Sequence, residues 1–114
     1  MAAQNGTMTL VGASGQTYTV DVYLPDAVAT NWTFNPSGLA ASTSTNYWKA
    51  PEKCMIVDVS IGTAPTAVGC IFTLSGANYT GQTIRYANQL AANPNRPRLK
   101  IPVPAGEQLG ALQF

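Results

Sequence analysis

The stretch Lys53-Cys54-Met55-Ile56-Val57-Asp58-Val59-Ser60-Ile61 decides the fold class. Met55, Val57, Val59 and Ile61 fall on one side of an extended chain, and Asp58 and Ser60 on the other. A period of two is the mark of a strand with one buried face. The reading is a core strand over residues 53–61 with Met55, Val57, Val59 and Ile61 turned inward.

The same period recurs on both sides of it, and helical periodicity almost nowhere. Thr7–Val11 is a short strand, Gly12-Ala13-Ser14-Gly15 a turn, and Thr17–Leu24 a strand that buries Tyr18, Val20, Val22 and Leu24. Pro25 ends it, because proline cannot donate to a ladder. Downstream, residues 68–75 align Val68, Cys70, Phe72 and Leu74; residues 83–90 read as strand or short helix, tipped to strand by context. Leu99, Ile101 and Val103 alternate with Arg98, Lys100 and Pro102, Pro104-Ala105-Gly106-Glu107 is a turn, and residues 109–114 form the last strand. Residues 25–52 are the least regular, with a helical turn at 27–29 and a small, polar surface loop over 35–46. Seven or eight short antiparallel strands without a linker predict one all-β domain over residues 1–114, a β-sandwich that is jelly-roll-like.

Composition narrows function. Of 114 residues, 46% are hydrophobic and only 10% are charged, with no histidine and a net charge of +1. Histidine is the commonest general base and metal ligand, so its absence argues against most catalysis. Low charge suits burial against a partner. No apolar run reaches the ~20 residues that span a bilayer, and no strong field would draw nucleic acid. Met1–Gly6 has neither the basic nor the apolar region of a secretory leader, which implies synthesis in a cytoplasm.

Candidate sites are few. Cys54 and Cys70 are the only cysteines. If 53–61 and 68–75 formed a hairpin, they would lie roughly 16 Å apart, beyond disulfide reach, so two free thiols are expected. The carboxylates Asp21, Asp26, Glu52, Asp58 and Glu107 suggest no catalytic dyad, since Asp21 and Asp58 sit on polar strand faces that they solvate. Zinc and EF-hand ligand sets are missing, and no cofactor motif occurs. Arg85, Arg96, Arg98 and Lys100 set against Glu107 give residues 85–114 a charge of +3, against −2 for the rest. That basic run reads as a solubilising edge or a dock for an acidic protein surface rather than a nucleic-acid site, which would interleave exposed aromatics. Trp32 and Trp48 are read first as core or subunit-interface residues and second as sugar-stacking platforms.

With these residues laid out, the chain resembles the small β-sandwich decoration (cement) proteins that trimerise on the outside of tailed-bacteriophage capsids. The matching features are Gln4-Asn5-Gly6-Thr7 leading into Thr17–Pro25, Ala50-Pro51-Glu52-Lys53-Cys54 before the core strand, and Ile101-Pro102-Val103-Pro104-Ala105-Gly106 before the last one. The resemblance implies a non-catalytic homotrimer on the virion exterior that clamps the major capsid protein, reaching it through an N-terminal arm (residues 1–7) or the 35–46 loop. On this reading Trp32, Phe34, Tyr47 and Trp48 form the oligomer interface, and Arg96, Arg98 and Lys100 dock on the shell. The alternatives are a carbohydrate-binding module of a phage fibre or bacterial lectin and, third, a small glycosidase or esterase.

Overall fold

The computed structural model describes residues 4–24, 30–34, 47–63, 69–76, 81–96 and 98–114. Its first two strands form a hairpin: β1 (Gln4–Gly12) pairs antiparallel with β2 (Thr17–Leu24), from Gln4↔Leu24 to Val11↔Thr17. The turn closes through Gly15 N–H to Gly12 O (2.9 Å) and Gly12 N–H to Gln16 O (2.8 Å). Gly15 has φ 90°, a left-handed conformation that glycine adopts without a Cβ penalty.

Eight further strands follow: β3 (Thr30–Asn31), β4 (Thr33–Phe34), β5 (Trp48–Lys49), β6 (Cys54–Ile61), β7 (Gly69–Ser75), β8 (Ile84–Gln89), β9 (Ile101–Val103) and β10 (Gln108–Gln113). They build two antiparallel sheets, one ordered β4-β2-β1-β6-β9 and the other β3-β10-β7-β8, with β5 also on β10. The chain is an all-β sandwich, as its alternation predicts. The ambiguous segment 83–90 is a strand because its half-buried row Ile84, Tyr86 and Asn88 lies on the side opposite the exposed Arg85, Ala87 and Gln89. The irregular region contributes the three two-residue strands. The helical turn expected at 27–29 and the loop at 35–46 lie outside the described residues.

Between the sheets, Met8, Leu10, Val20, Val22 and Ile56 of one meet Phe72, Leu74 and Leu109 of the other, all nearly solvent-free. Trp32 sits where the chain leaves β3 in one sheet for β4 in the other. Its backbone N–H donates to Ala111 O, its indole Nε1–H to Gln113 Oε1 (3.0 Å), and its ring meets Phe72 edge-on at 5.8 Å.

Three expectations need correction. First, the inward face of β6 is only half as predicted. Thr9 pairs with Asp58, but the next residue, Leu10, pairs with Ile56, so Val57 is an extra residue, a β-bulge. A bulge inverts the alternation across it. Val59 and Ile61 therefore point inward as read, while Met55 turns out at 40% exposure, Val57 is half-buried, and Cys54 and Ile56 take the core positions. Second, β6 and β7 are not a hairpin but lie in opposite sheets. Both cysteines are nonetheless free and buried. Cys70 borders one small void with Val59 and Ile61, at the end of β6 opposite to Cys54, which puts the thiols roughly 20 Å apart by strand rise. Third, residues 4–7 are no arm, since they pair with β2, and Gly6 and Thr7 also pair with Ile61 and Ser60 of β6. Residues 1–3 lie outside the described part.

Candidate functional site

The solvent face of the first sheet is laid out by register. Thr7, Thr9 and Val11 of β1 stand beside Asp21, Thr19 and Thr17 of β2, and beside Ser60, Asp58 and Met55 of β6. Asp21 and Asp58 are two strands and two residues apart, roughly 12 Å from the strand and residue spacings. That exceeds the ~5–9.5 Å at which paired carboxylates cleave a glycosidic bond. Among the described residues no three of His, Cys, Asp and Glu are placed to hold a metal.

The ionic side chains divide unequally. All four described carboxylates are half-buried or buried, whereas Lys49, Lys53, Arg85, Arg98 and Lys100 are exposed and only Arg96 is half-buried. Glu52 accepts hydrogen bonds from the Ser14 backbone N–H (2.8 Å), the Ser14 hydroxyl (2.7 Å) and the Tyr18 hydroxyl (2.5 Å). Those donors, the Tyr18 hydroxyl foremost, hold its carboxyl below the ordinary value. The bond to Glu52, reinforced by desolvation, pushes the Tyr18 phenol up to about 12. Asp58 accepts from Arg96 Nε at 2.7 Å. Glu107 is fully buried at the start of β10, with its carboxylate against Gly76. Among the described residues the exposed charged side chains are therefore all cationic, whereas Glu107 is buried and Asp21, Glu52 and Asp58 are half-buried.

The residues expected to dock on an acidic surface lie together along the β6–β9 edge. Arg98 and Lys100 are exposed as alternation with Leu99, Ile101 and Val103 requires. The Leu99 N–H donates to Val57 O at 3.1 Å, which fixes this segment beside the bulge. Arg96 is tied down by Asp58 and by Asn93, whose Oδ1 accepts from Nη1 at 2.7 Å. Val57, Asp58, Pro94, Arg96 and Arg98 line one open depression. Beside it, Val11 pairs with Met55 and Met55 with Pro102, an outward apolar row across three strands. Sequence reading missed that row because it placed Met55 inside.

The residues expected at an oligomer interface are dispersed. Trp32 and Phe34 are in the core at 0% and 1% exposure, so neither side chain is available to a second copy. Trp48 is half-buried with its ring 6.0 Å from that of Tyr18. Tyr47 alone is well exposed, at 42%. Neither cysteine is placed for chemistry: burial pushes the Cys70 thiol up to about 12, and burial also raises that of Cys54.

No family model matches the chain, and no curated protein or solved structure is significantly similar to it.

Proposed function

We propose that this chain is a structural virion protein, a homotrimeric cement that binds the outside of a phage capsid and stabilises the major capsid protein without catalysing a reaction. The carrying observation is how charge is distributed: among the described carboxylates Glu107 is buried, Glu52 is held by Ser14 and Tyr18 and Asp58 by Arg96, while five cations stand exposed on the surface. Such a surface favours association with an acidic protein face, and steers it there most effectively at low salt. The sequence resemblance supplies the identity of that face. The division of the basic residues adds support, since Asp58 is paired with Arg96, while Arg98 and Lys100 make no ion pair among the described residues. A sugar-stacking role loses Trp32 to the core, and a glycosidase role is disfavoured by the separation of Asp21 from Asp58.

The trimer is assigned to surfaces other than Trp32 and Phe34, with Tyr47 and the flank of Trp48 retained as candidates. Light scattering after size exclusion, with co-sedimentation on purified capsids, tests both halves of the proposal. A trimer that saturates the shells and is found in virions by mass spectrometry is the expected result. A monomer that stays in the supernatant at high protein concentration ends it.

A further inference from the structure

We propose that the depression lined by Val57, Asp58, Pro94, Arg96 and Arg98 is a carboxylate-receiving socket, and that its occupant is an acidic side chain on a protein surface that also covers the apolar row Val11, Met55 and Pro102. The identification of that partner as a shell protein rests on the function proposed above; the chemistry of the socket does not.

Three features carry it. Arg96 is pre-oriented: Asp58 takes its Nε–H and Asn93 one Nη1–H. This leaves the Nη2 edge of the fork without a partner among the described residues. A planar guanidinium held in this way loses little entropy when it takes a carboxylate oxygen. Arg98 lines the same depression and makes no ion pair among the described residues. Asp58 is itself in the wall and repels an incoming carboxylate, but two arginines against one aspartate leave a local charge of +1, and the exposed Lys100 beside them adds to it.

The apolar half of the surface comes from the bulge. Were β6 regular, Met55 would be buried. With Val57 inserted, Met55 stands out at 40% exposure between Val11, at 39%, and the exposed Pro102. A small apolar strip edged by the exposed cations Arg98 and Lys100 is the arrangement of an interface centre and its rim. Pro102 lacks an N–H, which blunts the open edge of β9 against strand addition, so the partner is a side-chain-reading surface rather than another strand.

The test is a heteronuclear NMR titration of the whole protein with a capped hexapeptide of leucine and glutamate, and with its glutamine counterpart. Shifts should cluster on Val57, Asn93, Arg96 and Arg98, extend to Met55, and be absent with the glutamine peptide. Arg98→Gln, an exposed position whose loss leaves the fold intact, should weaken the glutamate peptide by about threefold, as for an exposed charge pair. Added salt should weaken it further. Equal response to the two peptides, shifts centred elsewhere, or tighter binding to duplex DNA or to phosphatidylglycerol vesicles would overturn the socket. On purified capsids, Arg98→Glu should reduce binding and leave the oligomer intact. Unchanged capsid binding by Arg98→Glu overturns the socket and leaves the cement function standing. Peptide binding without capsid binding does the opposite.

Discussion

The two halves of β6 follow the same alternation and point it in opposite directions. Before Val57 the inward residues are Cys54 and Ile56; after it they are Val59 and Ile61. One extra residue thus converts a uniformly one-sided strand into two half-strands, and turns a methionine out. The first half is fixed to the β1–β2 turn: Glu52 holds Ser14 and Tyr18, and Lys53 O accepts the Ala13 N–H at 2.8 Å. The second half is fixed to the 93–96 segment by Asp58 with Arg96 and by Ser60 with Asn93. A carboxylate next to β6 closes the fold at one end, and a carboxylate within β6 positions an arginine at the other. The bulge is therefore the point where a stabilising feature gives way to a surface feature.

The strongest way to break this comparison is to exchange the charges of neighbours. Ile56→Asp would bury an unpaired carboxylate at a solvent-free site and cost several kcal/mol, enough to unfold a domain of this size. Met55→Asp should stay within about 0.5 kcal/mol. Urea denaturation of the pair decides it, since a regular strand demands the reverse order.

A smaller loss is expected at the far end of the core. Gly76 has φ 148°, and an added Cβ would come within 2.5 Å of the Glu107 carboxylate. Gly76→Ala should cost about 1–3 kcal/mol from backbone strain and displacement of that buried group. Wild-type stability in this variant would mean that Glu107 is not packed as described.

Smaller still is the contribution of the ion pair at the second half of β6. Arg96 and Asp58 retain 33% and 28% side-chain exposure, so a double-mutant cycle with Arg96→Gln and Asp58→Asn should return about 0.2–1 kcal/mol. A coupling well above that would make the pair a structural brace first and a positioning device for the socket second.

What sequence could and could not reveal follows from the range of each interaction. The β2 alternation reads correctly because its partner β1 is in register along its full length, and Val20, Val22 and Leu24 alternate with Thr19, Asp21 and Tyr23. The Arg98, Leu99, Lys100, Ile101 alternation places the exposed cations for the same reason. The bulge was illegible because Met55-Ile56-Val57 are all apolar, so nothing in the residues says which two share a face. A β6–β7 hairpin is what adjacency in sequence suggests, but the two strands lie in opposite sheets. Trp32 and Phe34 read as interface residues because nothing local marks the corner between them: Trp32 is held by Ala111 and Gln113, about 80 positions away, and Phe34 by its pairing with Val22 across residues 25–29. Glu52 looked like a spare carboxylate; its donors Ser14 and Tyr18 lie 34–38 residues off and become its neighbours only when β1 pairs with β6.

The finest test of the contrast is a titration at the first half's anchor. The chain has five tyrosines. Tyr18 donates its hydroxyl to Glu52, and the loss of that bond on ionisation, then desolvation, then the repulsion of a phenolate by the carboxylate raise its folded-state pKa from 10.0 to about 12. Because that value is raised, the contribution of the bond to stability is complete below about pH 10, the unfolded value, and disappears as pH climbs through about 12. Glu52 works in the other direction: its carboxyl is lowered, so its share is present above the ordinary carboxylate range and vanishes as acid takes the pH down through the folded value. Absorbance at the phenolate band should therefore show one tyrosine titrating late while the protein remains folded. Tyr18→Phe should delete that late step, and Glu52→Gln should move it back toward 10 by removing the charge. If Glu52→Gln leaves the late step in place, burial alone raises Tyr18, and the anchor of the first half is packing against Trp48 rather than the carboxylate.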